Sequence, residues 1–392
     1  MEKRRWLYAC LIAVSCHSAE APAADHVAQY RAAALERRSG VYPFVYDRNG
    51  SPLATNNDFK PFVALLALQR LGRKERITTT LDSDVQHIAM TSLGDLHASL
   101  VAIDPRTNEV LAIATTSPDP FIHQYEPGSV IKVLTLLAAL SNGIDVQSFF
   151  PYDCEGFLEI DGRHFGDWHP GGHGRLPDVD EALAESCNVA FAAIGLKTGR
   201  DALRELHRRA GFDSHANLGL FAVPLGKTVG QIFNNFETGF YSIGLEHKTV
   251  TTFHLAMIAS MLANRGALTT PRIYAERRTI LGEIGQSSAE ADDGTDRAKR
   301  GRGTRRCRDA SSGRAAEGNG TPRERRRRVA RAENRHRRHA RARLRWAHRR
   351  VCARGNPRIA FALIAENAGA AEFAAAKVAH DFVEGLRASG HL

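Results

Sequence analysis

The stretch Tyr125-Glu126-Pro127-Gly128-Ser129-Val130-Ile131-Lys132, running on into Val133, Leu136, Leu137 and Leu140 and closed by Asn142-Gly143, decides how this chain is read. The four apolar residues recur at i, i+3, i+4 and i+7, the spacing of a helix with one buried face, and Asn-Gly is helix-stop chemistry. The pattern predicts a buried helix opened by Ser129. Lys132, three residues on, projects from the same face. A serine hydroxyl is too weakly acidic to attack a carbonyl unaided and needs a base within hydrogen-bond reach. A lysine can serve if burial favours loss of its proton. A helix N-terminus also favours a developing alkoxide and offers its N–H groups to an oxyanion. Taken alone, Ser-x-x-Lys arises about once per chain of this length at ordinary residue frequencies, and a serine cap followed by a snorkelling lysine is the plain alternative.

Ser186-Cys187-Asn188 is the second candidate element. It lies between two helical patterns, residues 179–185 and 189–196, and so belongs to a short loop. A hydroxyl there can pass a proton between base and leaving group, and an amide both donates to and accepts from a peptide. In isolation the tripeptide reads as an N-cap for the helix that follows.

Outward from these motifs, residues 41–54 read as an apolar strand meeting a turn at Asn49-Gly50. Residues 61–71 read as a short amphipathic helix. Asp82 or Ser83 is expected to cap a helix carrying Val85, Ile88 and Met90. Residues 99–104 and 109–114 are strands joined by the turn residues Pro105-Arg106-Thr107-Asn108. Residues 359–365 are a further strand, and residues 372–386 a helix with Phe373, Val378, Phe382 and Leu386 on one face. The expected architecture is α+β, a central antiparallel sheet flanked by helices.

The N-terminus has the order of an export signal: basic Lys3-Arg4-Arg5, an apolar run over residues 7–14, then small residues to Ala23. The run is shorter than the roughly 20 residues that span a bilayer, so residues 1–23 are read as a cleaved signal and the protein as exported. Of six cysteines, Cys10 and Cys16 lie in that segment and Cys307 and Cys352 in an anomalous one, leaving Cys154 and Cys187 either paired or as two free thiols.

The formal charge of +10 is concentrated in one place. Residues 297–354 hold 23 Lys and Arg against four acids, a surplus of 19, so the rest of the chain sums to −9. Val329, Leu344 and Val351 are the only aliphatics there larger than Ala, so this stretch builds no core. Clustered arginines suit nucleic acid, but an exported protein rarely meets any, and no nucleic-acid partner is expected. The composition suits an out-of-frame translation of GC-rich DNA or a disordered insertion.

Together the motifs YEPGSVIK and ESCNVAF resemble the transpeptidase domain of class B penicillin-binding proteins. VYDRNGSPLA (45–54), TTLDSDVQ (79–86), SLVAIDPRTNEVLAIA (99–114), the GGHG of residues 171–174, residues 244–273 and NPRIAFALIAENAG (356–369) resemble it too. The set Ser-x-x-Lys, Ser-x-Asn and Lys-Thr-Gly is the one general to penicillin-interacting serine enzymes. The resemblance implies a serine acyl-enzyme, peptidoglycan stem peptides as substrate, covalent capture of β-lactams, cell-wall synthesis machinery as partner, and no cofactor; with the export signal, the expected location is the periplasm or the outer face of the cytoplasmic membrane. It makes Ser129 the nucleophile, Lys132 the base, Ser186 the proton relay and Asn188 a substrate contact. D,D-carboxypeptidase and β-lactamase are variants within the same class; a catalytically dead binder is the reading outside it.

The chain departs from that family in its third motif, which belongs on a strand walling the cleft. The only Lys-Thr-Gly is Lys197-Thr198-Gly199, nine residues after Asn188 and at a helix end. The expected place for the true motif is the arginine-rich interval, so two central strands are expected to be missing and activity impaired. The expected divisions are residues 1–23 (signal), 24–75 (a short N-terminal segment), 76–284 (first part of the domain), 285–355 (anomalous) and 356–392 (C-terminal strand and helix). His164, His169 and His173 lie near Asp167 but without fixed spacing, and a surface or structural role is expected in preference to a metal site.

Overall fold

The computed structural model describes residues 10–16, 44–53, 56–59, 75–116, 119–219, 221–279, 284–285, 357–366 and 374–392. The expected helix over 61–71 and, Gly285 apart, the anomalous segment 285–355 lie outside the described residues.

Strands β1 (Cys10–Cys16), β2 (Phe44–Tyr46) and β3 (Glu75–Thr79) precede helix α1 (Ser83–Leu93). Asp82, not Ser83, caps α1: its carboxylate accepts from the N–H groups of Asp84 and Val85. Strands β4 (Ala98–Asp104) and β5 (Glu109–Thr115) form the expected hairpin, with Arg106 folded back onto Asp104 in the turn. Helix α2 (Lys132–Ser141) follows, then the short strands β6 (Tyr152–Cys154), β7 (Phe157–Ile160), β8 (Arg163–Gly166) and β9 (Gly174–Leu176). Three helices come next: α3 (Val179–Ala184), α4 (Asn188–Thr198) and α5 (Arg200–Arg209). After the small pair β10 (His215–Asn217) and β11 (Ala222–Pro224) come β12 (Lys227–Thr228), α6 (Asn235–Ile243), β13 (Lys248–Thr249), α7 (Thr252–Ala263), β14 (Tyr274–Thr279) and β15 (Ile284–Gly285). The chain closes with β16 (Ala360–Glu366) and α8 (Ala374–Ala388).

The central sheet has the order β1-β16-β4-β5. All seven residues of β4 are buried, so both faces of the sheet are covered. Period-two alternation divides the strands between two cores. Leu100, Ala102, Phe361 and Leu363 face Val85 and Ala89 of α1 and Val378 and Phe382 of α8. Val101, Ile103, Ala362 and Ile364 face the opposite core, which holds α7 and the inner side of α2. The Phe361 and Phe382 rings meet edge to face at 4.9 Å. This is the expected α+β architecture, with β4, β5 and β16 as its antiparallel centre.

The segment expected to be an export signal, residues 1–23, includes β1, which pairs in parallel with β16 from Cys10↔Ala360 to Cys16↔Glu366. The physical reason is the edge of β16, whose N–H and C=O groups need partners. The apolar sequence CLIAVSC supplies them. Among the described residues, β1 forms one edge of the central sheet, beside β16.

Candidate active site

The turn that carries Ser129 is tighter than its periodicity implies. Gly128–Ile131 is a single 3₁₀ turn, and α2 proper begins at Lys132, whose N–H donates to the Ser129 carbonyl. Gly128 makes this entry possible. It sits at φ 59°, and its N–H donates to the carbonyl of Gly244 at the C-terminus of α6 (3.0 Å). Gly244, at φ 83°, packs so closely that a Cβ there would lie 1.9 Å from the Gly128 carbonyl oxygen. Ser129 is consequently held at the surface while Lys132 is 0% exposed.

The Lys132 ammonium collects the other motif. Its Nζ lies 3.1 Å from Ser129 Oγ, 3.0 Å from Ser186 Oγ and 2.7 Å from Asn188 Oδ1, and it donates to the Ser186 carbonyl as well. All four expected site residues thus meet at one nitrogen. Burial lowers the Lys132 pKa to about 8, against the pull of the Asp167 charge and of Cys187, which favour the proton. An amine in this range exchanges a proton near neutral pH, which ordinary lysine does not.

Ser186 reaches this position through a left-handed backbone, φ 54°. Such a conformation in a residue other than glycine is uncommon and occurs where surrounding structure imposes it. Two anchors impose it here. Cys187 caps α4, its Sγ accepting from the Ala190 N–H. Asp167, in the loop between β8 and β9, accepts from the Val189 N–H at 3.1 Å.

Asp167 is the residue that sequence spacing missed. Its side chain is fully buried, and its oxygens also meet Cys187 Sγ at 3.3 Å, Cys154 Sγ at 3.8 Å and His173 Nε2 at 3.1 Å. Burial works against its charge, but the hydrogen bonds from Val189, Cys187, His169 and His173 hold its pKa below the usual carboxylate value. No local pattern links a loop residue to the first turn of a helix 22 positions away. Of the three histidines, His173 is drawn in against Asp167, whereas the His164 side chain stays 64% exposed. The donor atoms of Cys154, Asp167 and Cys187 lie within 4.8 Å of one another, close enough to hold a metal ion between them.

Lys197-Thr198-Gly199 is where its helical context placed it. It ends α4, Gly199 turns at φ 85°, and α5 starts at once. Thr198 and Gly199 line a cavity of about 510 Å³ with Arg200, Phe233 and Asn234, and this cavity shares no residue with the Ser129–Lys132 group.

Residues 98–296 match the family described as the penicillin binding protein transpeptidase domain. Peptidoglycan D,D-transpeptidase PbpA of Mycolicibacterium smegmatis is 28% identical over 287 residues, covering 59% of this chain and 57% of that protein. Peptidoglycan D,D-transpeptidase MrdA of Acinetobacter baumannii is 28% identical over 250 residues, 53% of this chain and 37% of that protein. The chain therefore spans roughly a third to just over half of these relatives' length. Among solved structures, PBPA from Mycobacterium tuberculosis superimposes with a TM-score of 0.59 at 18% identity, over 89% of this chain and 90% of that one. Pseudomonas aeruginosa PBP2 superimposes with a TM-score of 0.61 at 18% identity, over 88% and 95%. At that identity the two structures speak for the fold.

Proposed function

From the premise that the chain belongs to the penicillin-binding protein transpeptidase family, we propose that it is a peptidoglycan D,D-transpeptidase acting through an acyl-enzyme on Ser129. The observation that carries the reading is the single nitrogen, Lys132 Nζ, within hydrogen-bond reach of Ser129 Oγ, Ser186 Oγ and Asn188 Oδ1. Neutral Lys132 accepts the Ser129 proton as Oγ attacks the carbonyl of a stem-peptide bond. Ser186, on the same nitrogen, returns that proton to the departing amine. Asn188 holds the Lys132 amine in line through Oδ1 and presents its amide N–H to the peptide. A second stem-peptide amine then attacks the ester, with the proton transfers reversed. β-Lactams enter the same first step, and ring opening leaves them on Ser129.

The reaction takes place outside the cytoplasm, on the periplasmic or outer face of the membrane, with the cell-wall synthesis machinery as partner. This rests on the signal-like N-terminus and on the substrate. No helix among the described residues is long and apolar enough to cross a membrane. Activity is impaired, acylation included, because Lys197-Thr198-Gly199 sits at a helix end and cannot pair with an extended peptide. Loss of one oxyanion donor costs about 10²- to 10³-fold.

Fluorescent penicillin tests the reading directly. Stable label on the intact chain that disappears in Ser129→Ala is expected. A folded chain that takes no label overturns it.

A further inference from the structure

The chain approaches Ser129 between two backbone anchors, and both belong to the short segment that follows α6. Tyr125 and Val250 exchange N–H to carbonyl hydrogen bonds of 2.9 and 2.8 Å, and the Gly128 N–H donates to the Gly244 carbonyl at 3.0 Å. The backbone between these anchors is sharply bent: Gly244, Glu246 and His247 have φ of 83°, 54° and 54°. Two side-chain-bearing residues in the left-handed region hold there only because their surroundings impose it. Lys248 ties this segment back to the helix. Its side chain is 1% exposed, and its Nζ donates to the Tyr241 carbonyl and lies 3.4 Å from the centre of the Tyr241 ring. That carbonyl is among the last four of α6, which have no partner within the helix. The next one, of Ser242, accepts from Thr135 Oγ1 of α2 at 2.6 Å. On its other side the Lys248 amine meets His207 Nε2 of α5 at 3.2 Å. His207 Nδ1 donates to the Leu203 carbonyl at 2.7 Å, which leaves Nε2 to accept from Lys248. Burial holds the pKa of both groups well below ordinary values, so this pair is a neutral donor and a neutral acceptor.

We propose that Lys248 is a positioning residue for the acylation of Ser129: its amine fastens residues 244–250 to the end of α6 and so fixes both anchors of the Ser129 turn. This rests on the acyl-enzyme reading above, since placing Ser129 matters to acylation only if Ser129 reacts. Lys248 acts through the backbone. The amine holds the Tyr241 carbonyl, the last turn of α6 then sets Gly244, the Gly244 carbonyl holds the Gly128 N–H, and Gly128 leads directly into Ser129. An apolar side chain of the same length fills the space but leaves the Tyr241 carbonyl and His207 Nε2 buried without a donor, and the last turn of α6 loosens. A hydroxyl displaced by a fraction of an ångström still lies beside a bound acyl donor but attacks it more slowly, because alignment governs the rate of a bound pair. The effect therefore falls on the acylation rate constant and spares affinity.

Two measurements on the full chain compare Lys248→Met with wild type. Stopped-flow labelling over a range of fluorescent penicillin concentrations separates the limiting acylation rate constant from the apparent dissociation constant. The first is expected to fall about 10- to 100-fold and the second to stay within about twofold. Hydrogen exchange is expected to speed about tenfold or more at the Gly128 amide and to match wild type in β4. Weaker affinity with an unchanged rate constant, or exchange that speeds equally at Gly128 and in β4, would mark a residue that only supports the fold and would overturn the proposal. So would a variant that matches wild type in both measurements. Exchange needs no activity, which separates this proposal from the reading it rests on: a wild type that takes no label sinks the acyl-enzyme, while faster exchange at Gly128 in the variant still supports the tie through Lys248. Where Lys248→Met does not fold, His207→Leu takes its place. It frees the amine on its far side and is expected to change the same two readouts in the same direction, and no change in either would overturn the proposal.

Discussion

Lys132 Nζ lies 3.1 Å from Ser129 Oγ, yet Lys132 is 0% exposed while Ser129 faces solvent. Three residues of one helical turn therefore carry the chain from water to a site where an ammonium is destabilised. An incoming acyl group meets the hydroxyl at the surface, and the base acts from beneath it. Separating the two by depth lets the amine be neutral near pH 8 without exposing it to competing protons.

Replacing Ser129 with Ala should abolish penicillin labelling and leave the fold alone. An exposed hydroxyl contributes little to packing, so urea midpoints of variant and wild type should agree to within about 0.5 kcal/mol. Lys132→Met, of similar length and without the amine, should slow acylation by about 10²- to 10⁴-fold, read from stopped-flow labelling. A variant that labels at the wild-type rate would remove Lys132 from the mechanism.

The acylation rate should rise about tenfold per pH unit below pH 8 and level off above it, because Lys132 acts as a base only when neutral and its pKa is about 8. Stability carries the same signature. The folded-state pKa lies below the unfolded value of 10.5, so between those two values the unfolded chain binds more protons and stability rises with pH. The cost of burying the charge is fully present below pH 8 and is relieved as pH climbs toward 10.5, by about 3 kcal/mol. Burial of Lys248 acts in the same direction. In Lys132→Met the gain between pH 8 and 10 should shrink by an amount of this order, measured by urea unfolding at each pH.

Asp167→Asn should move the acid limb of the acylation profile to lower pH. The Asp167 charge is what draws the Lys132 pKa upward against burial, so removing it leaves the amine neutral over a wider range. The variant should also lose about 1–3 kcal/mol of stability, since the Val189 N–H and His173 lose a charged acceptor. A limb that stays in place would mean that the carboxylate acts on the loop alone.

At Gly244, alanine should harm the site more than its size implies. The position has φ 83°, and a Cβ there would meet the Gly128 carbonyl at 1.9 Å. Either α6 or the Ser129 turn must shift, at a cost of about 1–3 kcal/mol for the backbone strain alone. Both a lower Tm and a slower acylation are expected. A Tm loss with acylation unchanged would show that α6 yields and the turn does not.

Much of this was legible in the residues. The i, i+3, i+4, i+7 stripe located α2, the turn chemistry of Pro105 to Asn108 located the β4–β5 hairpin, and the helical flanks of Lys197 to Gly199 placed that triplet at a helix end, because each signal is local. The 3₁₀ tightening at Gly128–Ile131 was not legible, since it depends on a carbonyl from Gly244, more than 100 residues away. The left-handed φ of Ser186 and the part played by Asp167 were hidden for the same reason: contacts across the fold set them, and periodicity reports only a helix face or a strand face. The pairing of Cys10–Cys16 with β16 was not legible either, because an apolar run of that length suits a leader or a strand and its partner lies about 350 residues away.

That pairing gives the chain a choice it can make only once. If the first 23 residues are removed, β16 loses all seven of its partners from Cys10 to Cys16 and becomes a bare border of the sheet. If they stay, the border is sealed but the chain remains tethered to its own leader. Maturation and sheet completion are then rival fates. A processed molecule has a vacancy of strand length beside β16, and another extended chain, its own or a stranger's, can occupy it.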